Sequence, residues 1–189
     1  EPWPMFNVNL WDPNGNNLPG WPVTLDTYDP PVCRVGDIDG DGDNEIVAVC
    51  YYDAMVFAWH VESGEPVEGQ WPLSLSWYYS ISASPVLTDL DGDGDKEILV
   101  GLDGTESTSD GLYAIQGDGS FLWQRRYIVE GPMAVADLDH DGDVEIALCG
   151  YGPGMSSLYT YILDHSGVMV KRWRGGSAKG VVISDVNGD

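Results

Sequence analysis

The sequence predicts an all-β protein of 189 residues, built as β-propeller blades of four antiparallel strands with an acidic loop between the first and second strands of each blade. Three observations predict it. One acidic segment recurs at a supersecondary period. Each period holds the same order of short apolar runs and turns, in a composition of 24 Gly, 12 Pro, 8 Trp and 10 Tyr that favours pleated segments over helices. Finally, no window sustains an i, i+3, i+4 apolar pattern free of Gly and Pro.

The recurring segment reads GDIDGDGDNEIVAV from Gly36, TDLDGDGDKEILVG from Thr88 and ADLDHDGDVEIALC from Ala136, with a shorter SDVNGD from Ser184. Its leading aspartates, Asp37, Asp89, Asp137 and Asp185, stand 52, 48 and 48 residues apart. An approach strand precedes each segment, beginning at Pro31, Ser84, Pro132 and Gly180, and a β-forming run (EIVAVC, EILVGL, EIALCG) leaves the three full copies. A third strand starts near Met55, Gly111 and Ser157 and ends at a turn with Gly64, Gly119 or Gly167. The fourth ends near Trp71, Trp123 or Trp173. Four short strands in about 50 residues is the pattern of a propeller blade, which buries its faces only against neighbouring blades.

The first residues fit the same scheme half a period out of phase. VNLWDPNGNNLPGWPVTL from Val8 matches the third and fourth strands of a blade, with Gly15 at the turn and Trp21-Pro22 opposite Trp71-Pro72. The expected division of one propeller region, 1–189, is therefore 1–25 for the second half of a blade, 26–75, 76–125 and 126–174 for full blades, and 175–189 for the start of a further one. Ring closure by the half blade, an excerpt of a larger ring, and completion by a neighbouring subunit all satisfy this phase, the last two better. Trp21, Trp71, Trp123 and Trp173 recur once per blade and read as architectural, as do Trp11 and Trp59.

Each full loop places five carboxylates in nine residues, a charge density that a compact turn tolerates only around a cation. A hard ion with oxygen ligands in flexible geometry, Ca²⁺, suits it better than Mg²⁺, which demands a strict octahedron. Alternation sets positions 1, 3 and 5 on one side, Gly42 at position 6 permits the sharp turn, and Glu45, Glu97 or Glu145 closes the site at position 9. An EF-hand is excluded, because its closing Glu is at position 12, where this chain has Ala48, Val100 or Leu148, and its flanks are helices. The three full loops hold 15 of the 31 acidic residues.

These loops resemble those of the FG-GAP and VCBS repeat families, propeller repeats also found in integrin α-chains, over essentially the whole chain. The resemblance implies side-chain ligands Asp37, Asp39, Asp41 and Glu45, then Asp89, Asp91, Asp93 and Glu97, then Asp137, Asp139, Asp141 and Glu145. Asp43, Asp95 and Asp143 would add backbone carbonyls. A fourth site would have Asp185, Asn187 and Asp189. The sequence departs from the family pattern in lacking its literal Phe-Gly and Gly-Ala-Pro words and in carrying His140 at position 4 of the third loop. Three calcium ions, with a fourth as a candidate, are expected to be structural.

With 31 acidic against 8 basic residues and a formal charge of −23, nucleic acid and anionic membranes are excluded as partners. No apolar run is long enough to span a bilayer, and an opening Glu1 reads as processing or excision from something longer. Tyr28, Tyr51, Tyr52, Trp77, Tyr78, Tyr79, Tyr127 and Tyr151 fall in connectors away from the acidic loops, where they either wedge between blades or form a flat platform for a glycan or protein. Cys33 and Cys50 flank the first loop on adjacent strands, so a disulfide between them is open, with Cys149 left free. His60, His140 and His165 share no evident site, and no nucleophile with a base stands out. The reading is an extracellular, secreted or cell-surface calcium protein acting in adhesion or recognition of protein or glycan. Its alternatives are a structural subunit assembling copies of itself through incomplete blades, or a non-catalytic part of a polysaccharide-degrading enzyme.

Overall fold

A computed structural model describes residues 5–76, 80–103, 111–152, 157–175 and 180–183. All regular structure among them is β, and no helix is long and apolar enough to cross a membrane. Strands β1 (Met5–Val8) and β2 (Val23–Asp26) form a hairpin sheet. β3 (Val32–Gly36), β4 (Glu45–Cys50), β5 (Met55–His60) and β6 (Leu73–Ser74) pair in sequence order, as do β7 (Val86–Thr88), β8 (Glu97–Gly101), β9 (Leu112–Ile115) and β10 (Phe121–Arg125). The last sheet has β11 (Ile128–Val129), β12 (Ala134–Ala136), β13 (Glu145–Tyr151), β14 (Tyr159–Leu163) and β15 (Met169–Arg174). Every pairing is antiparallel.

The second strand of each full sheet is apolar without alternation because both of its faces are covered. In β4, Ile46, Ala48 and Cys50 pack against Val8, Trp21 and Leu25 of the hairpin sheet, while Val47 and Val49 pack against Ile98 and Val100 of the next. In β8, Leu99 turns the other way, to Ile146 and Leu148. The sheets are thus stacked face on face, each buried aliphatic side chain contributing about 1.5–3 kcal/mol. The first strands also meet, β3 beside β7 and β7 beside β12.

A repeated polar rung joins consecutive sheets. Trp21 donates its indole N–H to the Val61 carbonyl at 2.8 Å, Trp71 to Gly117 at 2.9 Å and Trp123 to His165 at 3.0 Å. Each acceptor lies in the turn between third and fourth strands of the following sheet. Trp59 is buried edge-on against Trp21. Trp11, expected to be architectural, is instead 60% exposed, and Trp173 is 48% exposed.

Several boundaries depart from expectation. β11 is an extra strand in the last sheet, created where Ile128 and Val129 pair with Tyr151 and Gly150 beyond the reach of β12. Trp71 precedes its fourth strand and does not end it. Gly180–Ile183, expected as an approach strand, carry no ladder. Cys33, Cys50 and Cys149 are all free thiols. Cys33 stands opposite Ala48, which leaves Cys50 diagonal to it and too far for a bridge. Burial pushes the Cys50 thiol up to about 11.

Candidate metal centres

Each acidic loop connects the first and second strands of its sheet, so the β3–β4, β7–β8 and β12–β13 ladders hold its two ends together. Within it, every carboxylate at positions 1, 3, 5 and 9 accepts a backbone N–H. In the first loop Asp37 takes Gly40 at 2.9 Å and Gly42 at 3.1 Å, Asp39 takes Asp41, Asp41 takes Asp43, and Glu45 takes Ile38 at 3.0 Å. The second loop repeats this pattern with Asp89, Asp91, Asp93 and Glu97. The third repeats it again with Asp137, Asp139, Asp141 and Glu145. These bonds fix both oxygens of the aspartate at position 1 and one oxygen of each other carboxylate, and gather the set.

Ligand atoms of Asp37, Asp39 and Asp41, of Asp89, Asp91 and Glu97, and of Asp137, Asp139 and Glu145 lie within 4.8 Å of one another. That spacing and the all-oxygen donor set fit a divalent cation, so these clusters could hold a metal ion. Asp185, Asn187 and Asp189, expected as a fourth set, lie outside the described residues.

The closing glutamates are the buried members, with Glu45 fully buried and Glu97 2% exposed. Burial raises all three closing carboxyls, and at Glu97 it acts with the charges of Asp91, Asp93 and Asp89 to reach about 7. Neighbouring loops add to the strain. Asp95 packs directly over Gly40, and burial followed by repulsion from Asp93, Asp37, Asp39 and Asp89 raises its carboxyl. The charge that accumulates here is what a cation held by these residues would offset.

Two histidines reach these loops. His60, at the end of β5, sets Nδ1 3.3 Å from Glu45 and 3.9 Å from Asp39, with Nε2 3.2 Å from Glu68. Burial opposes its charge, but the hydrogen bonds to Glu68 and Glu45 and the Asp39 charge leave its ring above the ordinary value. His165 Nδ1 lies 3.3 Å from Asp143. Sequence order hides both contacts, because the third strand returns beside the loop only after pairing. His140 takes φ 61° at position 4, where Gly40 and Gly92 have 73° and 79°. A side chain in this region costs about 1–2 kcal/mol. His140→Gly should therefore stabilise the protein by about 1 kcal/mol, read as a higher denaturant midpoint at unchanged slope.

The aromatic candidates divide. Tyr127 is buried, its ring edge-on to Tyr161 at 5.1 Å, so it belongs to the core and not to a face. Tyr51 is half-buried and packs on the core shared by β4 and β8, and Tyr151 is half-buried. Tyr28 and Tyr52 are 56% and 75% exposed. Their connectors brace one another, since the Asp53 carboxylate accepts the Tyr28 N–H at 2.7 Å and Asp29 accepts those of Tyr51 and Tyr52. Trp77, Tyr78 and Tyr79 lie outside the described residues.

No curated protein sequence matches the chain. Among solved structures, it is similar to the crystal structure of the V. cholerae biofilm matrix protein Bap1, with 22% identity and a TM-score of 0.35. That match covers 85% of this chain and 31% of the other, so the chain spans about a third of its length. A family model described as an FG-GAP-like repeat matches residues 37–100 and 89–148, the two overlapping spans reaching from the first loop through the third. The chain belongs to the FG-GAP-like repeat family.

Proposed function

We propose that the chain is an extracellular, calcium-binding β-propeller region that works by binding, in adhesion or in recognition of protein or glycan, and carries out no catalytic step. The observation that carries the reading is the same pattern of backbone N–H bonds to carboxylates in three loops, each closed by a glutamate drawn into the core. Calcium, when bound, supplies the positive charge that lets those glutamates stay ionised there. Asp37, Asp39, Asp41 and Glu45 would hold the first ion, with Asp89, Asp91, Asp93 and Glu97, and Asp137, Asp139, Asp141 and Glu145, holding the second and third. Asp43, Asp95 and Asp143 would add carbonyl oxygens. A radial array divided at 1–25, 26–75, 76–125, 126–174 and 175–189 accounts for face-stacked sheets whose first strands are neighbours. Loops of this kind suit compartments rich in calcium, outside the cell or on its surface.

Tyr28 and Tyr52 are the side chains offered to a ligand, because they are exposed on connectors already held by Asp53 and Asp29. Flat rings on a braced backbone bury area with little loss of entropy. Calcium-loaded chain screened on arrays of glycans and extracellular proteins should bind a defined class, and Tyr28→Ala with Tyr52→Ala should weaken binding by at least about tenfold. Absence of calcium-dependent binding, or turnover of a bound polysaccharide, contradicts the reading.

A further inference from the structure

We infer that the first loop is a mixed nitrogen–oxygen site that takes a zinc-like divalent ion, held by Asp39, Glu45 and His60, in place of calcium. The inference rests on the proposed reading of the loops as cation sites and names a different ion for one of them.

Strand register sets the first loop apart. The third strand of each sheet places one residue opposite the closing glutamate, and in the first sheet His60 stands across from Glu45. The ladders of the next two sheets, continued by one residue, set Gln116 across from Glu97 and Asp164 across from Glu145. Those two commit side-chain oxygens to the hairpin turn that follows. Gln116 Oε1 accepts the Ser120 hydroxyl at 2.8 Å, and Asp164 Oδ1 accepts the N–H groups of Ser166 and Val168 at 3.0 and 2.9 Å. His60 instead directs Nδ1 at the acidic loop.

The atoms it meets are those the backbone does not engage. Ile38 N–H donates to Glu45 Oε2 and Asp41 N–H to Asp39 Oδ1. The opposite oxygens, Glu45 Oε1 and Asp39 Oδ2, lie 3.3 and 3.9 Å from Nδ1. Asp39, Glu45 and His60 thus offer ligand atoms within 4.8 Å of one another, whereas Glu97 and Glu145 gather only with aspartates. His140 and His165 join no such set among the described residues.

The other ring nitrogen indicates what fills the gap. Nε2 lies 3.2 Å from Glu68 Oε2, and an ionised carboxylate only accepts, so Nε2 carries the proton of the neutral ring. Nδ1 then turns a lone pair towards two carboxylate oxygens, an arrangement that needs a positive charge between them. A metal ion supplies it, and a carboxylate on the far nitrogen is the usual partner of a metal-bound imidazole. A second ring proton is the alternative that the experiment below separates. Imidazole with carboxylates is a donor set for zinc-like ions, while calcium takes oxygen. Two ligands at about 2.0–2.1 Å on a tetrahedral zinc ion stand roughly 3.3 Å apart. His60 and Glu45 already have that separation, and Asp39 needs only a small side-chain rotation. The side chains of His60 and Asp39 are 20% and 23% exposed, which leaves an ion a way in.

Zinc chloride titrated into the chelator-stripped chain at neutral pH tests this. About one equivalent should bind at least about tenfold tighter than any further zinc, and His60→Gln should remove that step. Ring NMR signals of one of the 3 histidines should shift with it, and that signal should be the one missing from His60→Gln. Glutamine stands at this place in the second sheet, so the variant should fold, which an unchanged near-ultraviolet circular dichroism spectrum checks. With zinc bound, the calcium taken up by the wild-type chain should fall from about three equivalents to about two. A tight zinc step that His60→Gln leaves intact, or calcium uptake with no tight zinc step, overturns the inference while the calcium reading stands. A tight, His60-dependent zinc step in a chain that takes no calcium supports the inference and overturns the calcium reading alone.

Discussion

Removing calcium with a chelator should lower the stability of the chain by about 8 kcal/mol relative to calcium at a hundredfold its dissociation constant, because each of the three loops proposed to bind it would add about 2.7 kcal/mol. For a chain of this size that is a fall in melting temperature of about 15–30 °C. The effect has two sources. Ions bound only by the folded loops would be lost, and the carboxylates they neutralised left facing one another, most severely where Asp95 of the second loop packs over Gly40 of the first. Calorimetry with chelator, calcium and magnesium checks it. Magnesium should restore only part of the loss, since oxygens on a flexible nine-residue loop do not form its strict octahedron.

Glu97→Gln should have opposite signs with and without the ion. Without calcium, Glu97 keeps its proton in the folded chain up to about 7 while the unfolded chain loses it near 4.5. Between those values the folded state binds more protons, so stability falls as pH rises and is lowest above 7. The amide carries no charge to bury and retains an oxygen for the Leu90 N–H. At pH 8 the variant should thus be the more stable chain in chelator, by about 1–3 kcal/mol. In calcium at a thousandfold its dissociation constant the order reverses, because the variant forfeits a charged ligand and with it one site's contribution of about 4 kcal/mol, which exceeds the gain in chelator. The pH slope of wild type should reverse as well, since calcium binds the ionised loop and gains affinity as protons leave. Melting curves of both proteins from pH 4.5 to 8, with calcium and with chelator, read all four cases. Parallel profiles would contradict the role assigned to Glu97.

The loops and their period were legible because local sequence determines them. A left-handed position needs glycine and a closing carboxylate needs fixed spacing, and both are written within nine residues. The order of strands followed from the same repetition. Contacts made after pairing were not legible. His60 meets Glu45 only through the β4–β5 register, which sets the two residues opposite each other. Tyr127 resembles an exposed connector residue, yet the chain carries it under Tyr161. Cys33 and Cys50 sit on adjacent strands, and a two-residue offset in register keeps them apart. Gly40 and Gly92 signalled a second left-handed position, and His140 concealed it in the third loop.

We propose that the three strand-connecting loops each take one calcium ion. Isothermal titration of the chelator-stripped chain with calcium measures this directly. About three equivalents should bind, falling by one in Glu97→Gln. No saturable binding at millimolar calcium, or a stoichiometry that Glu97→Gln leaves unchanged, would contradict it.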